Sequence, residues 1–227
     1  MTKGNKARRG AFCIRCGECC RGSSPTLQLE DAALVKGGGI ETAQLYTIRE
    51  GELVWDNVQK KLNVTREELI KVRETTGSET GCVYYNEDVK ACRIYDQRPA
   101  QCRALECWDV SEFERVYAGP KAKRRDIIRD GVLLGLMEEH DRRCSYRKLG
   151  IVVRQIEEKG EKAVERIIET LKFDYALRPL VSKKLGIPLY EMELVFGRPL
   201  METLIMFGLR VIKQPDGSFF LTRAKQT

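Results

Sequence analysis

The sequence contains a single histidine, and that scarcity removes most nucleophilic and acid–base chemistry from consideration. A Ser/His/Asp or Cys/His arrangement would have to run through His140, in the run MEEHDRRC. That residue reads as a position on a helix surface. No paired-carboxylate motif stands out, and no phosphate-binding glycine loop is present. No run of roughly 18 apolar residues occurs, so no membrane-spanning helix is expected. The basic N-terminal stretch MTKGNKARRGAF lacks the apolar segment of a signal peptide. A reducing, cytoplasmic setting is therefore expected. There is no internal repeat and no low-complexity segment.

What the sequence does contain is sulfur. Nine cysteines stand at positions 13, 16, 19, 20, 82, 92, 102, 107 and 144. In a reducing compartment they argue for metal or redox chemistry rather than a disulfide framework. Charge is uneven. Residues 1–10 carry four Lys/Arg and no acid, and residues 121–154 carry ten Lys/Arg against five Asp/Glu. Together these exceed the net +7 of the whole chain, so the remainder is slightly acidic. A basic surface attracts nucleic acid or an acidic partner, but a solvated helix face is the plainer reading, and nucleic acid is not favoured.

Along the chain, 1–10 reads as a disordered basic tail, 11–115 as a cysteine-rich metal-binding region, and 116–227 as a mainly helical region. LEDAALVKGGG reads as a short helix stopped by Gly37 to Gly39. AQLYTIREGELVWDN reads as a β-hairpin around its Glu-Gly pair. TREELIKVRETTG reads as a helix, with Thr65 and Glu68 as a capping box and Gly77 as its stop. From 120 to 186, apolar residues recur at helical spacing. PLMETLIMFG adds a short helix, and LRVIKQPDGSFFLTR a terminal hairpin around Pro215-Asp-Gly217. The expected fold class is α+β, mainly α: a cysteine-rich half with short helices and a small hairpin, packed on a helical half that ends in a β-hairpin.

Cys13, Cys16 and Cys19 form C-x2-C-x2-C, a spacing that lets a loop wrap one metal centre with successive thiolates converging. Bacterial ferredoxins use such a run for three ligands of one cubane, with a remote cysteine as the fourth. Gly17 helps the backbone turn tightly inside the wrap. Cys20 directly follows Cys19. Neighbouring side chains diverge, so one of the two turns towards a second centre or caps another atom of a polynuclear cluster. The completing residues are Cys82, Cys92, Cys102 and Cys107, spaced C-x9-C-x9-C-x4-C. Pro99 suits the first turn of a helix carrying Cys102, with Cys107 just beyond its end. Eight cysteines suit either two four-thiolate sites or one site with extra thiols. Cys144 stands alone and reads as a helix cysteine.

CIRCGECCRG followed by GCVYYNEDVKACRIYDQRPAQCRALEC resembles the CxxCxxCC cysteine-cluster family, the YkgJ-like proteins described as zinc- or iron-chelating. The resemblance rests on Cys13, Cys16, Cys19, Cys20, Cys82, Cys92, Ile94-Tyr95, Arg98-Pro99 and Cys102-Arg103, and covers roughly residues 11–108. The related flagellin lysine N-methylase carries a similar cluster, for which the resemblance implies iron–sulfur binding. That enzyme uses S-adenosylmethionine, but no glycine-rich loop for a methyl donor is found here.

All-thiolate sites suit zinc and iron–sulfur alike. The ferredoxin-like triplet favours a 4Fe-4S cluster, and the lack of paired C-x2-C knuckles weighs against zinc. Arg15, Arg21, Arg93, Arg98 and Arg103 lie beside the cysteines in sequence. Arg98 and Arg103, with Tyr95, are the expected supports of the thiolate charge. Trp108 is a candidate shield against water. The expectation is thus a cytoplasmic iron–sulfur protein, serving electron transfer or a cluster-dependent modification with an unidentified redox or protein partner. The alternatives are a zinc-stapled module with a basic surface for RNA or an acidic protein, and a methylase-like enzyme.

Overall fold

A computed structural model describes residues 13, 15–75 and 81–224. The expected tail over 1–10 lies outside these residues. In chain order, α1 (Glu18–Gly22) is followed by α2 (Ala32–Lys36) and four short strands. These are β1 (Leu45–Ile48), β2 (Leu53–Asp56), β3 (Lys61–Val64) and β4 (Leu69–Val72). Next come β5 (Tyr85–Asn86), β6 (Ala91–Cys92), α3 (Ala100–Ala104), α4 (Ser111–Ala118) and α5 (Arg124–Ile127). The rest is helical: α6 (Gly131–Arg143), α7 (Tyr146–Arg154), α8 (Ile156–Lys159), α9 (Glu161–Leu185), α10 (Met192–Phe196) and α11 (Leu200–Thr203). β7 (Leu209–Lys213) and β8 (Phe219–Arg223) close the chain. The fold is mainly α with a β component of small antiparallel ladders, as expected.

The chain divides into two compact units. One holds residues 1–44 and 71–127, and the other 45–70 and 128–227. The first contains every cysteine except Cys144. Its buried residues include Leu27, Val35, Ile40, Val72, Tyr84, Ala100 and Ala104. Asp31 is fully buried there and organises the helix that carries Cys102. Its Oδ1 accepts from the Ala100 N–H at 2.8 Å, and its Oδ2 from the Gln28 N–H at 2.8 Å. Pro99 precedes α3 and offers no capping side chain, so a remote carboxylate supplies the partner that the first turn needs.

In the second unit, α7 and α9 pack through Tyr146, Leu149 and Val152 against Ala163, Ile167 and Leu171. The last three recur every four residues, the stripe that one helix face presents. Leu133 and Met137 of α6 join Val181, Met192, Val195 and Phe196 in a second cluster. Asp130 caps α6 by accepting from the Leu133 N–H at 2.8 Å. β7 and β8 pair antiparallel, Leu209 opposite Arg223 and Lys213 opposite Phe219. Gly217, at φ 85°, makes their turn.

Two expectations fail on the segment 45–72. Leu45–Ile48 and Leu53–Asp56 do not form a hairpin with each other. β2 pairs instead with β3, with Trp55 opposite Leu62, and β1 belongs to a separate two-stranded ladder. The Glu-Gly pair does turn the chain, but Gly51 and Glu52 exchange hydrogen bonds with Thr65, at 2.9 Å in each direction. The helix expected over TREELIKVRETTG is also absent: Leu69–Val72 is a strand, its exposure alternating so that Ile70 and Val72 are buried. Thr65 spends its hydroxyl on the Arg49 carbonyl, at 2.8 Å, rather than on a helix cap. Gly77, its expected stop, lies outside the described residues.

Candidate metal centre

The first cysteine group sits on a tightly turned segment. Arg15 and Gly17 both take left-handed backbone angles, φ 57° and 80°. The Gly17 carbonyl then accepts from the N–H groups of Cys20 and Arg21, at 2.9 Å each, and starts α1. Gly17 is required for a second reason: the Tyr85 ring lies where a Cβ would project. α1 presents Cys19 and Cys20 at consecutive positions, about 100° apart around the axis. Their sulfurs are 4.0 Å apart.

The second group reaches the first through the backbone. Cys82 N–H donates to the Cys20 carbonyl at 2.7 Å. Tyr85 N–H donates to the Cys82 carbonyl at 2.9 Å, and Tyr85 pairs across the ladder with Cys92. Cys102 lies within α3 and Cys107 beyond its end, as the proline predicted.

The thiols are close enough to govern one another's ionisation. Cys19 is lowered to about 6, chiefly by a hydrogen bond from Cys20, against a smaller opposing effect of burial. Cys20 is raised by donating that bond, then by burial and by the charges of Cys19, Cys82 and Cys102. Burial pushes Cys102 up, and Cys82, Cys19 and Cys92 push it further. Cys82 is raised by burial and by Cys92. Cys107 is raised by burial and then by Cys19, Cys13 and Cys16. Thiolates near one another repel, and a bound metal cation offsets that repulsion. The donor set therefore fits the chelation of a thiophilic metal.

The arginines divide. Arg98 stacks on Tyr95, 3.8 Å from the ring centroid, and its charge favours the thiolates of Cys19 and Cys102. Arg15 also stacks on Tyr95, at 4.0 Å. Arg103 donates to Glu30 Oε1 and to the Arg98 carbonyl, at 2.6 Å each, so it braces Arg98 from behind. Arg21 pairs with Glu18 and with Glu87, the latter at 2.8 Å. Arg93 donates to the Val83 carbonyl at 3.3 Å. Trp108 is 40% exposed.

His140 is not a surface residue. It is fully buried, and its Nε2 lies 2.8 Å from Asp174 Oδ1. Asp174 also accepts from Arg178 Nη2 at 2.8 Å and, through Oδ2, from the Leu200 N–H at 2.9 Å. The signal was in the spacing: Leu133, Met137, His140 and Cys144 follow one helix face, so the face that buries the first two buries the others. Burial opposes the Asp174 charge, but the His140 hydrogen bond and the Arg178 charge outweigh it and hold the carboxyl below its ordinary range. Ligand atoms of His140, Cys144 and Asp174 all lie within 4.8 Å of one another. They nevertheless make a poor cation site. Asp174 Oδ1 already serves His140 and Arg178, and the Arg49 guanidinium donates to the Cys144 carbonyl at 2.9 Å. Burial, with the Asp174 charge, also pushes the Cys144 thiol up to about 12. A neutral thiol with no exposure is not a nucleophile either. The group is an internal tie between helices.

Residues 12–121 match the family model "CxxCxxCC: Putative zinc- or iron-chelating domain". This part of the chain carries a metal-binding role. No curated protein and no solved structure gave a significant match to the chain. Among the described residues, no helix is long and apolar enough to cross a membrane.

Proposed function

We propose that the cysteine-rich unit binds iron–sulfur clusters of the 4Fe-4S type and that the protein works as an electron carrier or in a cluster-dependent modification. The observation that carries this reading is the approach of the two cysteine groups, Cys82 N–H donating to the Cys20 carbonyl at 2.7 Å, with the ferredoxin-like triplet Cys13, Cys16 and Cys19 in the first of them. When bound, such a cluster supplies one-electron chemistry. The chain's own residues would supply eight thiolates, Cys13, Cys16, Cys19, Cys20, Cys82, Cys92, Cys102 and Cys107. Arg98, held on Tyr95 and braced by Arg103, offsets their charge.

Zinc held by the same thiols is the second reading, because sets of four thiolates are also what structural zinc takes. Anaerobic purification followed by iron, sulfide and zinc analysis separates the two. A brown protein with iron and acid-labile sulfide in comparable amounts is expected. A colourless protein carrying zinc alone would overturn the iron–sulfur reading.

A further inference from the structure

The eight cysteines differ in their setting. Cys13, Cys16, Cys19 and Cys107 are exposed, whereas Cys82 is buried and Cys20, Cys92 and Cys102 are partly buried. This division does not follow the two sequence groups. It takes Cys20 out of the first and Cys107 out of the second.

Backbone connections follow the same line. Cys20, Cys82 and Cys92 are joined through the Cys82 N–H to Cys20 carbonyl bond, the Tyr85 N–H to Cys82 carbonyl bond and the Tyr85–Cys92 pair. We propose that the unit holds two separate four-thiolate centres, an outer one on Cys13, Cys16, Cys19 and Cys107 and an inner one on Cys20, Cys82, Cys92 and Cys102. The proposal rests on the metal-binding reading of this domain, but not on the identity of the metal.

The sulfurs of Cys19 and Cys20 lie 4.0 Å apart, so Cys19 sits at the junction, and the turn of about 100° per helical residue sends its neighbour to the other centre. The outer set is a C-x2-C-x2-C run plus one remote cysteine, the division of ligands a ferredoxin cubane uses. Adjacent Cys19 and Cys20 place the two centres side by side.

The test uses the full chain, purified anaerobically, with metal content read per polypeptide. Cys107→Ser, Cys13→Ser and Cys92→Ser are each expected to keep half the metal of the unsubstituted chain. The Cys13→Ser/Cys107→Ser pair should keep that same half, and Cys107→Ser/Cys92→Ser almost none. Should inner substitutions disturb folding, the outer pair decides alone, together with chelator kinetics. Release from the unsubstituted protein is expected in two phases of equal size, and the outer pair should lack the fast one. A double outer variant that loses more metal than either single, full metal in Cys107→Ser, or a single release phase would overturn the division. Zinc in place of iron in both halves would sink the iron–sulfur reading and leave the division standing.

Discussion

The N–H of Cys82 donates to the carbonyl of Cys20 over 2.7 Å, and this bond joins two cysteine groups that lie 62 positions apart in the sequence. It depends on close backbone approach, and glycines border it on both sides. A Cβ on Gly81 would stand 3.1 Å from the Cys20 carbonyl oxygen, and one on Gly17 would meet the Tyr85 ring.

Gly17→Ala is therefore expected to damage the centre without touching a ligand. The left-handed angle alone costs an alanine about 1–2 kcal/mol, and the Tyr85 ring must also move. Metal content and the thermal midpoint of the cysteine-rich unit should both fall. Adding Tyr85→Ala should recover part of the loss, because it removes the collision and leaves the backbone strain. Undiminished metal in Gly17→Ala would show that the turn is not needed.

Removing metal should loosen the two units unequally. The segment 81–109 has few large apolar side chains, and each ordered residue costs about 1–2 kcal/mol of conformational entropy. Metal–thiolate bonds can offset that, as in zinc fingers, where binding contributes roughly 10–16 kcal/mol of apparent free energy. The α7–α9 packing has its own apolar core and needs no metal. Hydrogen exchange on the metal-free protein should show lost protection around Cys16–Arg21 and Cys82–Cys107, with protection retained in α7 and α9. Equal loss in both units would contradict this.

Legibility followed locality. The helices from 124 onwards, the terminal hairpin and the Pro99-initiated helix were readable because their signals lie within one element. The segment 45–72 was not. Thr65 and Glu68 match a capping box in letters, but Thr65 is held by the turn at Gly51 and Glu52, fourteen residues upstream in the first case. A strand pairing made at that range leaves no local mark. The cysteines were legible as residue types and spacings. Their settings were not, because Cys19 is exposed and Cys20 partly buried, a difference that sequence adjacency does not carry.

Asp174→Asn should destabilise the second unit by about 3–5 kcal/mol, because it leaves the buried Arg178 without its counter-charge. The wild-type carboxyl is held below its ordinary value in the fold, so its contribution is present above the unfolded pKa of about 3.9 and is lost as pH falls below it. Denaturant unfolding of the wild type should therefore weaken across that acid range. The asparagine variant should show a flatter acid limb, and an unchanged limb would exclude Asp174 as its source.

Cys144 should neither bind metal nor react. Its folded thiol is raised to about 12, so it stays neutral where an ordinary thiol ionises. The stability tied to it is present below about pH 8.5 and is lost as pH rises from there towards 12. Cys144→Ala should keep full metal content, and a thiol reagent at pH 8 should label position 144 only after unfolding. Rapid labelling of the native chain would contradict the burial.

The sequence contains two tryptophans, and each unit has one: Trp55 on β2, and Trp108 beside Cys107. Both are substantially exposed. The protein thus carries its own pair of optical reporters. An iron-bearing group on Cys107 would quench the neighbouring Trp108. Trp108→Phe would leave a chain whose indole emission comes from the second unit alone. The two halves of the molecule could then be followed separately in one cuvette, with no dye attached.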